Sequence, residues 1–242
     1  MFSRGNVTEK KRFASLVQPG EHVLDMYAGI GYYTLPALVH GNAGHVTACE
    51  WNPHAIYALR HNLKANGVEH KTTVLEGDCR VSLRKRLDSD ILRDSHKYFD
   101  RVSLGLLPSS EGGWAAAIAS LNHTAGGWLH IHANVPTTER QNWSHWMCQS
   151  LKLLSDRHND SKEWHVLCTH VEKVKSFAPM IDHIVADVFV GPNDSPKNRY
   201  GFGCSGVLDT CGVFNPTSVA DVSPPSCALS KDGILHQDWL IK

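Results

Sequence analysis

EHVLDMYAGIGYYTLPALVHGNAGHVTACEWNP, residues 21–53, is the stretch whose reading decides the fold. It opens on an apolar run, His22 to Met26, which reads as a buried parallel strand. The strand empties into Ala28-Gly29-Ile30-Gly31, a turn lean enough for a ligand to approach the backbone. A helix follows, then a second apolar strand, Val46 to Cys49, which ends on Glu50. Strand, glycine turn, helix, strand and acid make the adenosine-binding half of a doubly wound fold. The glycines remove side chains from the ligand's path, and Glu50 can accept hydrogen bonds from both ribose hydroxyls. The acid stands 19 residues past Gly31, the spacing such a unit requires.

The turn also bears on which adenosine cofactor is bound. A dinucleotide fingerprint needs a third glycine so that helix and strand pack closely, and here Thr34 holds that place. Asp25 precedes the turn, giving Asp25-x-Tyr27-Ala28-Gly29-x-Gly31. That pattern resembles the S-adenosylmethionine (SAM) loop of Rossmann-like methyltransferases, which has no pyrophosphate to cradle. SAM is therefore the favoured ligand, with NAD and a turn that binds nothing as the alternatives.

Bulk properties exclude other classes. The 242 residues suffice for one domain with a full core plus a tail. Lys+Arg and Asp+Glu are 24 each, so the net charge is zero and any RNA affinity must come from local patches. Seven cysteines with no C-x-x-C argue against a disulfide framework and against zinc. No apolar run is long enough to span a bilayer and no signal peptide is evident, so the chain reads as cytoplasmic, with no membrane partner.

Residues 1–18 read as a turn and an amphipathic helix capped by Asn6 or Thr8, with Phe13, Leu16 and Val17 inward and Lys10, Lys11 and Arg12 on the polar side. A helix over Ala55–Asn66 leads to a third strand, Thr72–Leu75, and to the loop that carries Asp78 and Cys79. At that edge an acid can meet the adenine amino group. Arg80, Arg84, Lys85 and Arg86 read as surface charge or a phosphate contact, and Asp88 to Lys97 as a loop or frayed helix. The fourth strand, Phe99–Leu104, delivers Gly105-Leu106-Leu107-Pro108-Ser109-Ser110-Glu111, a loop facing the reactive end of SAM in this fold. Amino-group methyltransferases place Asn or Asp before a proline there, because an oxygen acceptor must hold the target N–H. This chain offers Gly105.

A helix over Trp114–Leu121 precedes a fifth strand, Trp128–Ala133, with His130 and His132 on one face and Asn134 at its carboxyl edge. The two histidines lack a carboxylate or thiolate at ligand spacing, so no metal is expected. Trp143 and Trp146 read as core anchors of a helix over Arg140–Arg157, and Trp164–Lys175 with Asp182–Val190 as a closing antiparallel hairpin. The expected class is α/β: a Rossmann-like class I SAM-dependent methyltransferase fold, a mostly parallel seven-stranded sheet with a final antiparallel strand. The expected organisation is a catalytic domain over 1–190 and a tail or linker of little order over 191–242.

MFSRGNVTEK, LDMYAGIGYYTLP, ACEWNPHA, GLLPSSE, HIHANV and VKSFAPMIDHIVAD, in that order, resemble the tRNA wybutosine-synthesizing protein 2 family over about residues 1–190. The family is similar to the tRNA guanine N1-methyltransferases but is known for different chemistry. The resemblance implies transfer of the 3-amino-3-carboxypropyl group of SAM to C7 of 4-demethylwyosine, the tricyclic base beside the anticodon of tRNA(Phe), with release of methylthioadenosine. Methyl transfer to guanine N1 and a SAM-binding module inactive alone are the alternatives. It implies Ser3 and Lys10 at the amino-acid end of SAM, Glu50 on the ribose, and Asp78 with Cys79 at the adenine, Cys79 standing where the family usually has Asn. Gly105, Pro108, Ser109 and Asn134 then form the substrate side, and no catalytic acid or base is assigned. Family members carry a further amino-terminal domain that helps hold tRNA. The chain begins directly at the MFS motif, so that grip is expected from a missing domain or a partner.

Overall fold

The computed structural model describes residues 6–88, 98–158, 163–192, 194–197, 206–208, 214–216 and 223–229. Ser3, nearly all of the Asp88–Lys97 stretch, Cys204 and Cys211 lie outside them. The chain divides into two compact units, Met1–Gly105 and Leu106–Lys242.

The first unit is an α/β layer. Helix α1 (Val7–Leu16) leads to β1 (His22–Asp25), α2 (Thr34–Val39), β2 (His45–Glu50), α3 (Pro53–Ala65), β3 (Thr72–Glu76), α4 (Cys79–Leu87) and β4 (Arg101–Leu104). Strand β1 lies between β2 and β4 and runs parallel to both, with Leu24 opposite Thr47 on one side and Val102 on the other. All four β1 residues are buried, as an inner parallel strand requires. Strand β3 extends the sheet beyond β2 in the same direction. Phe13, Val17, Val23, Tyr33, Leu38, Val46, Leu59 and Leu63 form the core, each large side chain contributing roughly 1.5–3 kcal/mol by burial. Asn52 caps α3 by accepting from the His54 N–H, and Pro53 at the first turn has no N–H to leave unpaired.

An ion pair locks the start of β1 to the start of β4. Arg101 donates from Nε and Nη2 to the Glu21 carboxylate at 2.7 and 3.0 Å, and both side chains are largely buried. Next to it, His22 N–H donates to Asp100 Oδ2. Glu9, in the first turn of α1, is buried and accepts two bonds from Arg12. Its charge is tolerated there because a guanidinium is bound to it.

The second unit holds α5 (Trp114–Ser120), β5 (Gly127–Pro136), α6 (Arg140–His158), β6 (Trp164–Ala178) and β7 (Ile181–Pro192). Strand β7 is antiparallel to β5 and to β6, so the expected closing hairpin is present. Trp143 and Trp146 are buried on α6, and Trp146 packs against Trp114 at 5.6 Å between ring centroids. In the stretch expected to have little order, two short strands are described. They are β8 (Gly206–Leu208), parallel to β6 at Leu167 and Cys168, and β9 (Phe214–Pro216), antiparallel to β8.

Candidate cofactor site

The glycine turn is stitched to the strands around it. Met26 N–H donates to Ser103 O on β4, and Ala28 N–H to Cys49 O on β2. Gly29 and Gly31 have φ of 57° and 100°, the left-handed region that favours glycine. A Cβ on Gly31 would also stand 3.1 Å from Leu35 and Leu59 side-chain carbons, a tight contact in which those leucines would have to give way by a few tenths of an ångström. Gly29 N–H donates to Glu50 Oε2 at 2.8 Å, while Glu50 Oε1 accepts from the N–H groups of Trp51 and Asn52. A carboxylate has about four acceptor positions. Three are used by the backbone, which leaves one, on Oε2, for a ligand hydroxyl.

Asp25 does structural work. Its Oδ2 accepts from both the N–H and the hydroxyl of Thr34, so the acid ending β1 ties down the first residue of α2 across the whole turn. Burial pushes its carboxyl up to about 6, a shift the Thr34 bonds oppose and the neighbouring Glu50 charge assists.

Asp78 caps α4 by accepting from Arg80 N–H, and the Arg80 guanidinium binds the same carboxylate, holding it below the usual carboxylate range. An adenine amino group at this exposed acid therefore competes with Arg80, a residue whose pairing the sequence signalled only by its place two after the acid. Cys79 is buried, and burial pushes its thiol up to about 11. The Tyr27 hydroxyl lies against that thiol, and burial raises its own ionisation further. Cys79 thus presents a neutral S–H at neutral pH.

Lys10 is brought to the turn by an aromatic ring that sequence reasoning passed over. Its Nζ sits 4.4 Å from the centroid of Tyr32, inside the glycine loop, and partial burial lowers its pKa. Tyr33, the next residue, is buried edge-on against Phe13 of α1 at 5.3 Å. The Tyr-Tyr pair directly after Gly31 was the available signal for both contacts.

Gly105 ends the unit. Its φ lies outside the left-handed region, and among the described residues a Cβ built on it meets only the Tyr33 ring, at 3.6 Å. That is ordinary contact, so neither backbone strain nor crowding requires glycine here.

Within the second unit, Asn134 N–H donates to Pro108 O at 2.9 Å and Ser109 bridges to Ala133, tying the 106–110 loop to the carboxyl edge of β5. Ser109 Oγ donates to Glu111 Oε1, whose Oε2 accepts from Leu229 N–H. His130 pairs with Asp187 at 2.6 Å and His132 with His183 at 3.0 Å, all four buried, and burial lowers His183 to about 4. Among the described residues no group of His, Cys, Asp or Glu is placed to hold a metal ion.

The TRM5/TYW2 methyltransferase domain model matches residues 1–138, more than half of the chain. The chain belongs to the TRM5/TYW2 family. An Arabidopsis thaliana protein named tRNA wybutosine-synthesizing protein 2/3/4 is 44% identical to this chain over 188 residues, covering 78% of the chain and 18% of that protein. A Danio rerio protein named tRNA wybutosine-synthesizing protein 2 homolog is 42% identical over 221 residues, covering 79% of the chain and 51% of its own length. The chain thus spans about half of the one relative and under a fifth of the other. Among solved structures, M. jannaschii TYW2 in complex with AdoMet is similar with a TM-score of 0.64 at 27% identity, covering 79% of this chain and 78% of that one. The α/β fold with a mostly parallel sheet is that of the SAM-dependent methyltransferases, as expected. No helix among the described residues is long and apolar enough to cross a membrane.

Proposed function

We propose that this TRM5/TYW2 domain transfers the 3-amino-3-carboxypropyl group of SAM to C7 of 4-demethylwyosine in tRNA(Phe), releasing methylthioadenosine, a step of wybutosine synthesis. The observation that carries the reading is Gly105. Methyl transfer to a ring N–H needs an oxygen acceptor after the fourth strand, and the fold would admit a side chain there, yet the position is bare. The bare position suits a carbon nucleophile on a bulky base, which has no N–H to hold. A sulfonium offers three carbon substituents, and the one that transfers is the one the protein aims at the nucleophile.

In this reading SAM lies over the glycine turn. Gly29 and Gly31 give its adenosine room, Glu50 accepts one ribose hydroxyl, and Asp78 and Cys79 border the adenine with Tyr27. Lys10, together with Ser3, meets the carboxylate of the methionine portion. Asp25 holds the turn through Oδ2 and borders the ligand as well. Gly105, Pro108, Ser109 and Asn134 face the base. The bound M. jannaschii relative, named for its complex with AdoMet, supports the ligand, and the names of the curated relatives support the reaction. Residues 1–190 act as the catalytic domain and 191–242 as a following tail or linker. Grip on tRNA is shared with a further domain or partner. The site of action is the cytoplasm, where Cys49, Cys79, Cys148, Cys168 and Cys227, all free thiols, stay reduced.

The test supplies SAM labelled in its methionine carboxylate to the protein with precursor tRNA(Phe). Label in the RNA is expected. Unlabelled RNA that has gained a methyl group would mean guanine N1 methylation instead, and SAM binding without either product would mean a module inactive alone.

A further inference from the structure

The chain is neutral overall, so contact with a polyanion has to be made by a local patch. One end of the second unit offers such a patch. The β6–β7 hairpin turns at residues 177–180, and there Phe177 is 58% and Met180 65% exposed. Lys173, Lys175 and Arg140 surround the turn. Lys173 Nζ reaches Asp182 at 2.8 Å and Arg140 Nε lies 3.7 Å from the same acid, so one buried carboxylate fixes two cations. Thr137 and Ser176 hydroxyls add to that acid from either side. Lys175 is exposed, and among the described residues no carboxylate pairs with it. Of the neighbouring acids, Glu139 is taken up by the N–H and hydroxyl of Ser226, and Glu172 lies 2.9 Å from His170 Nε2.

The placement of Phe177 is a second observation. Ser176 stands opposite Asp182 and Ala178 opposite Ile181, so Phe177 is the extra residue of a β-bulge. Bulges re-aim a side chain and recur beside functional sites. Lysines and bulges also protect an exposed strand edge from pairing, and the outer half of β6 is such an edge among the described residues, where β8 meets it at Leu167 and Cys168. Edge protection accounts for Lys173 and Lys175. It does not account for an exposed phenylalanine and methionine at the end of that edge, where a charge would serve better. The turn is also tied to the carboxyl end of β5, because Thr137 N–H donates to Met180 O.

We propose that this hairpin tip binds unpaired nucleotides of the RNA substrate, with Phe177 stacking on a base and Lys175, Lys173 and Arg140 meeting phosphates. The inference rests on the reading that the substrate is RNA. An aromatic face beside a row of cations is the composition of single-strand binding surfaces, and it needs no base-specific hydrogen bonds. A protein partner would favour a larger apolar area with fewer cations.

The test measures binding of the whole chain to a fluorescent RNA stem-loop with an unpaired purine loop across a salt series, with SAM affinity as the control for folding. Phe177→Ala is expected to weaken RNA binding about 10-fold, and Phe177→Tyr to keep it within about twofold. Lys175→Glu is expected to weaken binding and lower the slope of affinity against salt by about one. SAM affinity stays unchanged in all three. The proposal is overturned if the unaltered chain retains no RNA, if Phe177→Ala binds as tightly as the unaltered chain, or if Phe177→Leu restores binding fully, which would indicate an apolar protein contact. The transfer reading fails separately. RNA bound at the tip with S-adenosylhomocysteine as co-product would refute the transfer and leave the tip, whereas methylthioadenosine formed by a chain indifferent to Phe177 would do the reverse.

Discussion

Glu50 Oε2 accepts the Gly29 N–H at 2.8 Å, which makes the acid ending β2 and the turn ending β1 a single piece. A ligand that uses Glu50 therefore meets a carboxylate already aimed by three backbone donors. Glu50→Gln sets an NH₂ group against one of those donors. It is expected to weaken SAM binding by about 10- to 100-fold, the worth of charged hydrogen bonds, as read by titration calorimetry.

Asp25 gives a pH dependence of definite sign. Its folded carboxyl is pushed up to about 6, above the unfolded value of about 4, so folding favours the protonated form. Its contribution to stability is full below pH 4 and is lost as pH rises to about 6, a change of about 3 kcal/mol. Asn keeps an oxygen for the Thr34 N–H and hydroxyl and cannot ionise. Asp25→Asn is expected to be at least as stable as the unaltered chain at pH 7, with the difference shrinking as pH falls from 6 to 4. Urea unfolding across that range measures it.

Arg101 and Glu21 test the lock between β1 and β4. Removing one partner leaves the other charge buried and unpaired, so Arg101→Met is expected to cost about 3 kcal/mol. Replacing both, Arg101→Met with Glu21→Leu, is expected to recover most of that loss. Denaturant midpoints of the single and double variants decide it.

Gly105→Asn separates fold from chemistry. Among the described residues the new Cβ meets only the Tyr33 ring, at 3.6 Å, so the melting temperature is expected to stay the same. Transfer is expected to fall by about 100-fold, because the amide occupies space the base needs. A large loss of stability would show that the glycine serves packing.

The strands and the turn were legible because periodicity and glycine placement are local signals. His22 to Asp25 is continuously apolar enough to declare an inner strand, and Glu50 declares itself by spacing from Gly31. The helix expected over Ala55–Asn66 begins two residues earlier, at Pro53, behind the Asn52 cap. What stayed hidden depends on partners distant in sequence. Nothing local says that Asp25 binds Thr34 across the turn, that Glu9 goes inward with Arg12, or that Lys10 lies on Tyr32. Arg80 hid the competition at Asp78 because a basic residue in the first turn of a helix reads as surface charge. The bulge at Phe177 was invisible for another reason: register against β7 is a property of two strands, and the hairpin sequence shows only that they pair.

The most direct measurement identifies the small-molecule product by mass spectrometry after SAM and precursor tRNA(Phe) are incubated with the protein. The account predicts methylthioadenosine, in step with an RNA mass increase of one aminocarboxypropyl group. S-adenosylhomocysteine, with an RNA heavier by one methyl group, would contradict it and with it the reading of Gly105.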